Sequence, residues 1–349
     1  MPVVRFQELN TLSFSIFEAA GLPEDDARIL ADHLTTSNLV GHDSHGVWFL
    51  PRYLPSLRKN YVRWEDHTIL KDGPAFVLID GGGANGIVAV TKALDLAVAK
   101  AKTTTFGMVG LRNVSHIGRL GDFPPRIAEK GMVGMVWMNG GGLFLAPFGS
   151  HERKLRPEPI SFGVPRQNGP PLMLDMTLSA VAGGKIEQKI VRNDPIPDGW
   201  LVDDEGHYVN DGKRYHDEPE KVGVLPLGGL QFGHKGHGLA MMVEAIVGPL
   251  TLAGCTGASG GGGIMILAID IAAFTDMETY TQEIEGLVSW VGSAQPLPGV
   301  KRVYAPGEIE EEIRAQRLKD GIFIPDATWE EIRNSAAELG VPIPETIFK

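Results

Sequence analysis

Ala75-Phe-Val-Leu-Ile-Asp80-Gly81-Gly-Gly83-Ala-Asn-Gly86-Ile87 is the stretch on which the fold turns. Ala75 to Ile79 reads as a strand, and Ile87 to Lys102 as a helix rich in small residues. Between them stands Gly81-x-Gly83-x-x-Gly86. This is the spacing of a dinucleotide-binding turn, whose glycines let a pyrophosphate approach a helix N-terminus. Taken at face value it makes the chain a Rossmann protein. Two features oppose that. The next strand, Phe106 to Leu111, runs into Arg112-Asn113, where the dinucleotide fold wants an acid. The rest of the chain also lacks a run of parallel βαβ units. The glycines therefore read as a tight strand-to-helix turn with close packing.

On either side the chain changes character. Residues 7–20 place Leu9, Leu12, Ile16, Phe17 and Ala20 on one helical face. A second helix follows Gly21-Leu22-Pro23, with Glu24, Asp25 and Asp26 where the helix dipole favours acids. Its apolar face is Ala27, Leu30, Ala31 and Leu34, and it ends near Gly41. Residues 46–58 read as a short helix broken or started at Pro51. Strands are expected at 107–111, 133–138, 172–175 and 264–269, and helices at 121–130 and 235–252. After residue 300 the chain is helical and charged, over Glu308–Leu318 and Trp329–Leu339. Alternating strands and helices indicate an α/β or α+β protein. Residues 1–73 with 300–349 are expected to form a helical domain around a sheet domain of 74–299.

Composition bounds the function. The 349 residues hold 32 Lys plus Arg against 43 Asp plus Glu, a net charge of −11. That balance opposes nucleic acid, which needs a basic face, and anionic membrane surfaces. No apolar run reaches the ~20 residues of a membrane span, and the start lacks the pattern of a signal peptide, so a cytoplasmic location is expected. The single cysteine, Cys255, forms neither an internal disulfide nor a thiolate zinc site. Glycine is in excess, 44 residues in all, about 13% against a usual ~7%.

The histidines sit in glycine settings. Gly41-His-Asp-Ser-His-Gly46, Asn113-Val-Ser-His-Ile-Gly118 and Gly233-His-Lys-Gly-His-Gly238 hold five of the ten. Imidazole there reaches a ligand easily and titrates near neutrality, which suits general acid–base work. Ser44-His45 and Ser115-His116 each pair a hydroxyl with a ring. Metal binding competes, because His42/His45 and His234/His237 share a three-residue spacing with Asp175 or His116 as a third ligand. With no HExxH and no cysteine pattern, no metal is expected. Lys235, placed at the start of an apolar helix, suits a phosphate. Asp175, Thr177 and Ser179 at a strand end suit a ribose or carboxamide, or else cap a helix.

These segments, in this order, resemble the type-2 malate/L-lactate dehydrogenase family of NAD(P)H-dependent 2-oxo-acid and cyclic-imine reductases. The likeness rests on Asp43-Ser-His-Gly-Val47 with Leu50-Pro51 and Tyr53, and on Asn113-Val-Ser-His-Ile-Gly118. It continues through Asn139, Ala146-Pro-Phe-Gly149, Asp175-Met-Thr-Leu-Ser-Ala-Val-Ala-Gly-Gly-Lys-Ile186, Leu225-Pro-Leu-Gly-Gly229, Lys235-Gly-His-Gly-Leu239 and Pro306-Gly-Glu308. The Gly41–Gly46 start and the 290–308 tail are most similar to the hydroxycarboxylate dehydrogenase B branch. The resemblance implies a non-Rossmann NAD(P)-binding fold with a mostly antiparallel central sheet, and a homodimer with its site near the interface. It makes His45 and His116 candidate proton donors and acceptors, with Ser44 beside the substrate. It makes Asp175, Met176, Thr177, Ser179, His234, Lys235, Gly307 and Glu308 the candidate cofactor contacts, with NAD or NADP as cofactor.

Two departures bear on the substrate. Many members carry an arginine two residues after Val47, able to grip a carboxylate bidentately. This chain has Phe49, with Arg52 and Tyr53 nearby as further substrate candidates. Phe49 suggests a bulkier or aromatic 2-oxo acid, of phenylpyruvate type. A Gly-Thr-Asn-Pro loop is replaced by Arg156-Pro-Glu-Pro159, expected to remove flexible hydrogen bonding and add charge. Reduction of a cyclic imine, and a cofactor-binding homologue that has lost turnover, are the rival readings.

Overall fold

The computed structural model describes residues 2–257 and 261–343. The chain opens with β1 (Val3–Val4), α1 (Phe6–Ala19), α2 (Glu24–Leu39) and α3 (Leu50–Lys59). Then come β2 (Thr68–Asp72), β3 (Phe76–Ala84), α4 (Gly86–Thr104), β4 (Phe106–Val114), α5 (Phe123–Ala128) and β5 (Met132–Asn139). The middle holds β6 (Ile160–Val164), β7 (Leu172–Met176), α6 (Gly183–Val191), β8 (Leu201–Asp203), α7 (Gly212–Asp217) and β9 (Val222–Val224). Last are α8 (Gly229–Leu250), β10 (Gly263–Asp270), α9 (Met277–Gly292), α10 (Glu308–Asp320), β11 (Ile322–Phe323) and α11 (Asp326–Glu338).

Seven strands form the central sheet in the order β2-β3-β4-β10-β5-β6-β7. Only β3 and β4 pair in parallel; the other five pairings are antiparallel. Side chains alternate across it, as the period of a strand requires. Val109, Leu111, Val136, Ile264 and Ile266 join α4 and α5 in the main core. Met265 points to the opposite face, into a second cluster with Ala240, Val243 and Val247 of α8. The main core continues without a break into α1, α2 and α11, through Leu9, Phe17, Leu30, Leu34 and Trp329. β1 pairs with β11, Val3 opposite Phe323, and so fastens the two ends of the chain. A third cluster holds α6, α7, β8 and β9 together, around Ile186, Leu201, Tyr215 and Val222.

The fold is non-Rossmann, and the glycine stretch is the irregular end of β3 that runs straight into α4, where a turn was expected. β3 extends to Ala84, with its pairing to β4 interrupted between Asp80 and Ala84. Asn85 caps α4, its Oδ1 accepting the N–H groups of Ile87 and Val88 at 3.0 and 3.3 Å. A Cβ on Gly86 would lie 2.2 Å from the Ser115 carbonyl. The helix start is thus closed by its own cap and by backbone. Arg112 and Asn113 both hold Asp80, at 3.0 and 2.8 Å.

One element differs from its expected bounds in a way that matters. α8 begins at Gly229, six residues before the expected start, and takes Gly233, Gly236 and Gly238 into its interior. Lys235 therefore stands in the second turn, not at the exposed amides of a helix N-terminus. Gly233 and Gly236 are there for packing: a Cβ on Gly233 would lie 2.8 Å from Pro226 Cγ, and one on Gly236 2.5 Å from the Leu227 carbonyl.

Candidate active site

The segment carrying Ser44 and His45 is held from beneath by α2. Asn38 Oδ1 accepts the Val47 N–H at 2.8 Å, and its Nδ2 donates to Asp43 Oδ1 at 2.6 Å. Arg317 of α10 grips Asp43 with two bonds, at 2.6 and 2.9 Å. His42 lies 3.3 Å from Glu310 on the same helix. Asp43–His45 is a 3-10 turn fixed at both ends, and it presents Ser44 and His45 to the space in front of β4.

There the two histidines meet. The rings of His45 and His116 are 6.0 Å apart and nearly parallel. Phe49 stacks on His116 at 4.4 Å, and Tyr53 lies behind Phe49 at 5.4 Å. Tyr53 Oη is 2.7 Å from His116 Nδ1, and Ser44 Oγ is 3.1 Å from His45 Nδ1. Each ring thus has its Nδ1 engaged by a hydroxyl and its Nε2 left for a ligand. Burial pushes Tyr53 well above the usual tyrosine range, so it stays a protonated donor. With Tyr53 donating, the neutral His116 carries its proton on Nε2.

Burial, aided by repulsion from His116, lowers His45 to about 3. Protein mass around His116 lowers it to about 4, although one side of the ring faces solvent. At neutral pH both are uncharged. The end of β7 is tied to the segment that follows His116. Asp175 Oδ2 accepts the Gly121 N–H at 2.8 Å, five residues beyond His116. Burial raises Asp175, against the lowering effect of Arg119 and the Gly121 N–H. Gly184 approaches from α6, where a Cβ would lie 3.4 Å from Ser44 Cβ.

Beyond Asp175 the chain leans on the departing loop. Thr177 Oγ1 and the Leu178 N–H both donate to the Pro157 carbonyl, at 3.0 and 2.8 Å, and Ser179 Oγ lies 2.5 Å from Thr177 Oγ1. The Arg156-Pro-Glu-Pro159 loop therefore keeps its hydrogen bonding, contrary to expectation. Its charge is buried: Arg156 is 3% exposed and donates to Glu244 at 2.9 Å and to the Gly257 carbonyl at 2.8 Å. Asn139 donates to the other Glu244 oxygen at 2.9 Å. Glu158, fully buried beside Glu244, is pushed up to about 9 and stays protonated at neutral pH.

The other end of β7 holds the remaining candidates. The Met173 N–H donates to the Pro306 carbonyl at 3.2 Å, and Gly307 packs on the Met173 backbone. A cavity of about 300 Å³ opens beside them, lined by Arg166, Arg302, Gly307, Glu308, Glu311 and Glu312 among others. Arg166 is bound to Glu285 by two contacts, at 3.1 and 3.2 Å, and Arg302 to Glu308 at 2.8 Å. A half-buried carboxylate with hydroxyls thus stands at one end of the strand, and a cavity edged by two arginines and three glutamates at the other.

So Ser44, His45, Phe49, Tyr53 and His116 converge, with Asp175 linked to them through Gly121. Met176, Thr177 and Ser179 follow Asp175, and Gly307 and Glu308 line the far cavity. Three residues stay apart. Arg52 lies 3.6 Å over the Trp48 ring and pairs with Glu331 at 2.9 Å, away from the histidines. His234 is exposed with its ring against the edge of Phe148, and Lys235 is exposed near Phe232. The sequence reading missed Asn38, Gly121, Gly184 and Arg317. Asn38 carried a signal, a polar residue at the end of an otherwise apolar helical face. Among the described residues no three His, Cys, Asp or Glu are grouped to hold a metal ion, and no helix is long and apolar enough to cross a membrane.

A malate/L-lactate dehydrogenase family profile matches residues 4–333. The chain is 34% identical to the malate dehydrogenase of Pyrococcus horikoshii, over 92% of this chain and 91% of that protein. The solved structure of that enzyme covers 98% of this chain and 97% of its own, with a TM-score of 0.86 and 30% identity. Hydroxycarboxylate dehydrogenase B of Escherichia coli K12 is 31% identical over 96% of this chain and 94% of that protein. The Δ1-piperideine-2-carboxylate reductase of Pseudomonas syringae superposes with a TM-score of 0.80 at 26% identity, covering 96% of this chain and 100% of its own.

Proposed function

The chain belongs to the malate/L-lactate dehydrogenase family and is a dehydrogenase acting on CH–OH groups; on that premise we propose that it interconverts a 2-oxo acid and its 2-hydroxy acid in the cleft between His45 and His116. The observation that carries this reading is the pair of rings 6.0 Å apart, each with a hydroxyl on Nδ1. The bound nicotinamide supplies or accepts the hydride. His45, anchored at Nδ1 by the Ser44 hydroxyl, gives the proton to the oxygen at C2, and His116 holds the substrate from the other side. Both rings are neutral in the free protein. The carboxylate of a 2-oxo acid brings negative charge between them and raises His45, which takes up a proton as substrate binds and then passes it on.

Phe49 shapes the substrate. An aromatic ring stacked on His116 offers no ion pair but favours a second ring. We therefore read the substrate as a 2-oxo acid with a bulky or aromatic side chain. The cavity at Gly307 takes the adenosine end of the cofactor. Three glutamates line it against two arginines, which favours the ribose hydroxyls of NADH over the 2′-phosphate of NADPH. His234 and Lys235 reach the cofactor from α8 only in its bound state. His45 comes from the part expected to be helical, 1–73 with 300–349, and His116 and Asp175 come from the sheet part, 74–299. α8 also exposes Phe232, Met242, Ile246 and Leu250, at 57, 54, 48 and 59%, an apolar face that a second copy of the chain covers in a homodimer.

The test is a panel of 2-oxo acids with NADH and NADPH, followed at the nicotinamide absorbance. Phenylpyruvate with NADH should turn over faster than pyruvate or oxaloacetate. The likeness to a piperideine-2-carboxylate reductase supports a second reading, reduction of a cyclic imine. Faster oxidation of NADH by that imine than by every keto acid would select it. Tight cofactor binding with no oxidation across the panel would mark a homologue that has lost turnover.

A further inference from the structure

His33, on α2, takes no part in the cleft and is fully enclosed. Its Nε2 accepts the backbone N–H of Arg119 at 2.9 Å, and its Nδ1 lies 3.1 Å from Asp122 Oδ2. A backbone N–H only donates, so Nε2 must offer its lone pair and the ring proton must sit on Nδ1, donated to Asp122. Burial lowers the ring's pKa and preserves that neutral tautomer. Burial disfavours the Asp122 charge, but His33, Arg126 at 2.6 Å and Arg119 at 3.5 Å outweigh it and hold the carboxylate ionised. Phe123 stacks on the ring at 5.3 Å. Gly118 stands at φ +68°, and a Cβ there would lie 2.1 Å from His33 Nε2. Ring and loop fit with no atom to spare.

These contacts fall on one short segment, 118–123. His116 stands three residues before the Arg119 amide that His33 holds. Gly121, whose N–H binds Asp175, stands two residues after it. We propose that His33 is a positioning residue which, through the Arg119 amide, sets both walls of the cleft: the His116 ring and the Gly121–Asp175 contact. The proposal rests on reading the His45–His116 cleft as the site of reduction. A displacement of about 1 Å at a reacting group can cost ~10²-fold in rate, and a single misplaced turn here would move both walls together.

The experiment compares three variants at saturating NADH, with turnover of phenylpyruvate normalised to cofactor-binding sites. The His33→Gln amide can donate and accept as the ring does. His33→Asn reaches Asp122 but not the Arg119 amide, and His33→Leu satisfies neither. We expect His33→Gln within about threefold of the parent. For His33→Asn and His33→Leu we expect kcat to fall by about 10²-fold, with KM for phenylpyruvate moved less than threefold. Amide exchange gives a second reading independent of turnover. Protection of the Arg119 and Gly121 N–H groups should survive in His33→Gln and drop in His33→Asn. The proposal is overturned if all folded variants turn over alike, if His33→Gln is as slow as His33→Asn, or if the two amides keep their protection throughout. Should the parent reduce no 2-oxo acid, the functional reading falls, and amide exchange alone still decides the role of His33.

Discussion

Gly41-His-Asp-Ser-His-Gly46 and Gly233-His-Lys-Gly-His-Gly238 are written in the same style and folded in opposite ways. The first becomes a 3-10 turn, held by Asn38 and Arg317, which drives His45 into a crowded cleft. The second lies inside a 22-residue helix, with His234 and Lys235 on its open side. Glycine serves the two differently: in α8 it lets the helix press on Leu227, whereas around His45 it bounds a turn. A glycine-flanked histidine is a site only when neighbouring side chains crowd the ring and a hydroxyl occupies one of its nitrogens.

The sharpest break between the two would come from removing the rings. His45→Ala or His116→Ala should lower kcat by ~10²–10⁴-fold, as loss of an acid–base group does. His234→Ala should leave kcat within a few-fold. Equal losses at His45 and His234, measured as steady-state kcat with phenylpyruvate, would erase the distinction. Phe49→Arg comes next. A guanidinium there grips a carboxylate, so KM for pyruvate should fall about tenfold while KM for phenylpyruvate rises. An unchanged preference would show that Phe49 does not face the substrate.

Lys235→Ala sharpens the comparison from the other side. If the exposed α8 lysine meets only the cofactor, the Kd for NADH by fluorescence titration should rise about tenfold, equivalent to ~1.4 kcal/mol. kcat at saturation should stay nearly constant; a large fall in kcat would move Lys235 into the reacting centre. The smallest effect is on stability. His45 lies below the free-histidine value of ~6.5, so the folded protein binds fewer protons there than the unfolded chain. The stability linked to that difference is present above pH 6.5 and lost as pH falls toward 3. Between pH 7 and 5, urea unfolding should therefore lose less stability in His45→Gln than in the parent.

Much of the fold was legible because apolar periodicity survives in the finished core. Leu9, Leu12, Ile16 and Phe17 of α1 are all buried as their spacing indicates. β6 was missed because Ile160–Val164 is short, framed by prolines and broken by Ser161, whose hydroxyl turns to the Leu174 carbonyl. α9 was missed although its spacing is helical; Leu287, Trp290 and Val291 remain exposed, so no core face organises it. In the site, His45, His116 and Asp175 could be picked out by residue type and setting. What joins them could not. His33 lies among the alanines and leucines of α2, where hydropathy records only a break in the apolar face. The Gly121–Asp175 bond spans 54 residues, and no local pattern encodes it.

The central claim is tested most directly by a crystal structure of the ternary complex with NADH and oxamate, a stable 2-oxo acid analogue. The account predicts the C2 oxygen within ~2.6–3.2 Å of Nε2 of His45. It also predicts the nicotinamide against Asp175–Ser179 and the adenosine in the cavity at Gly307. Oxamate bound elsewhere, with neither imidazole in reach, would contradict it.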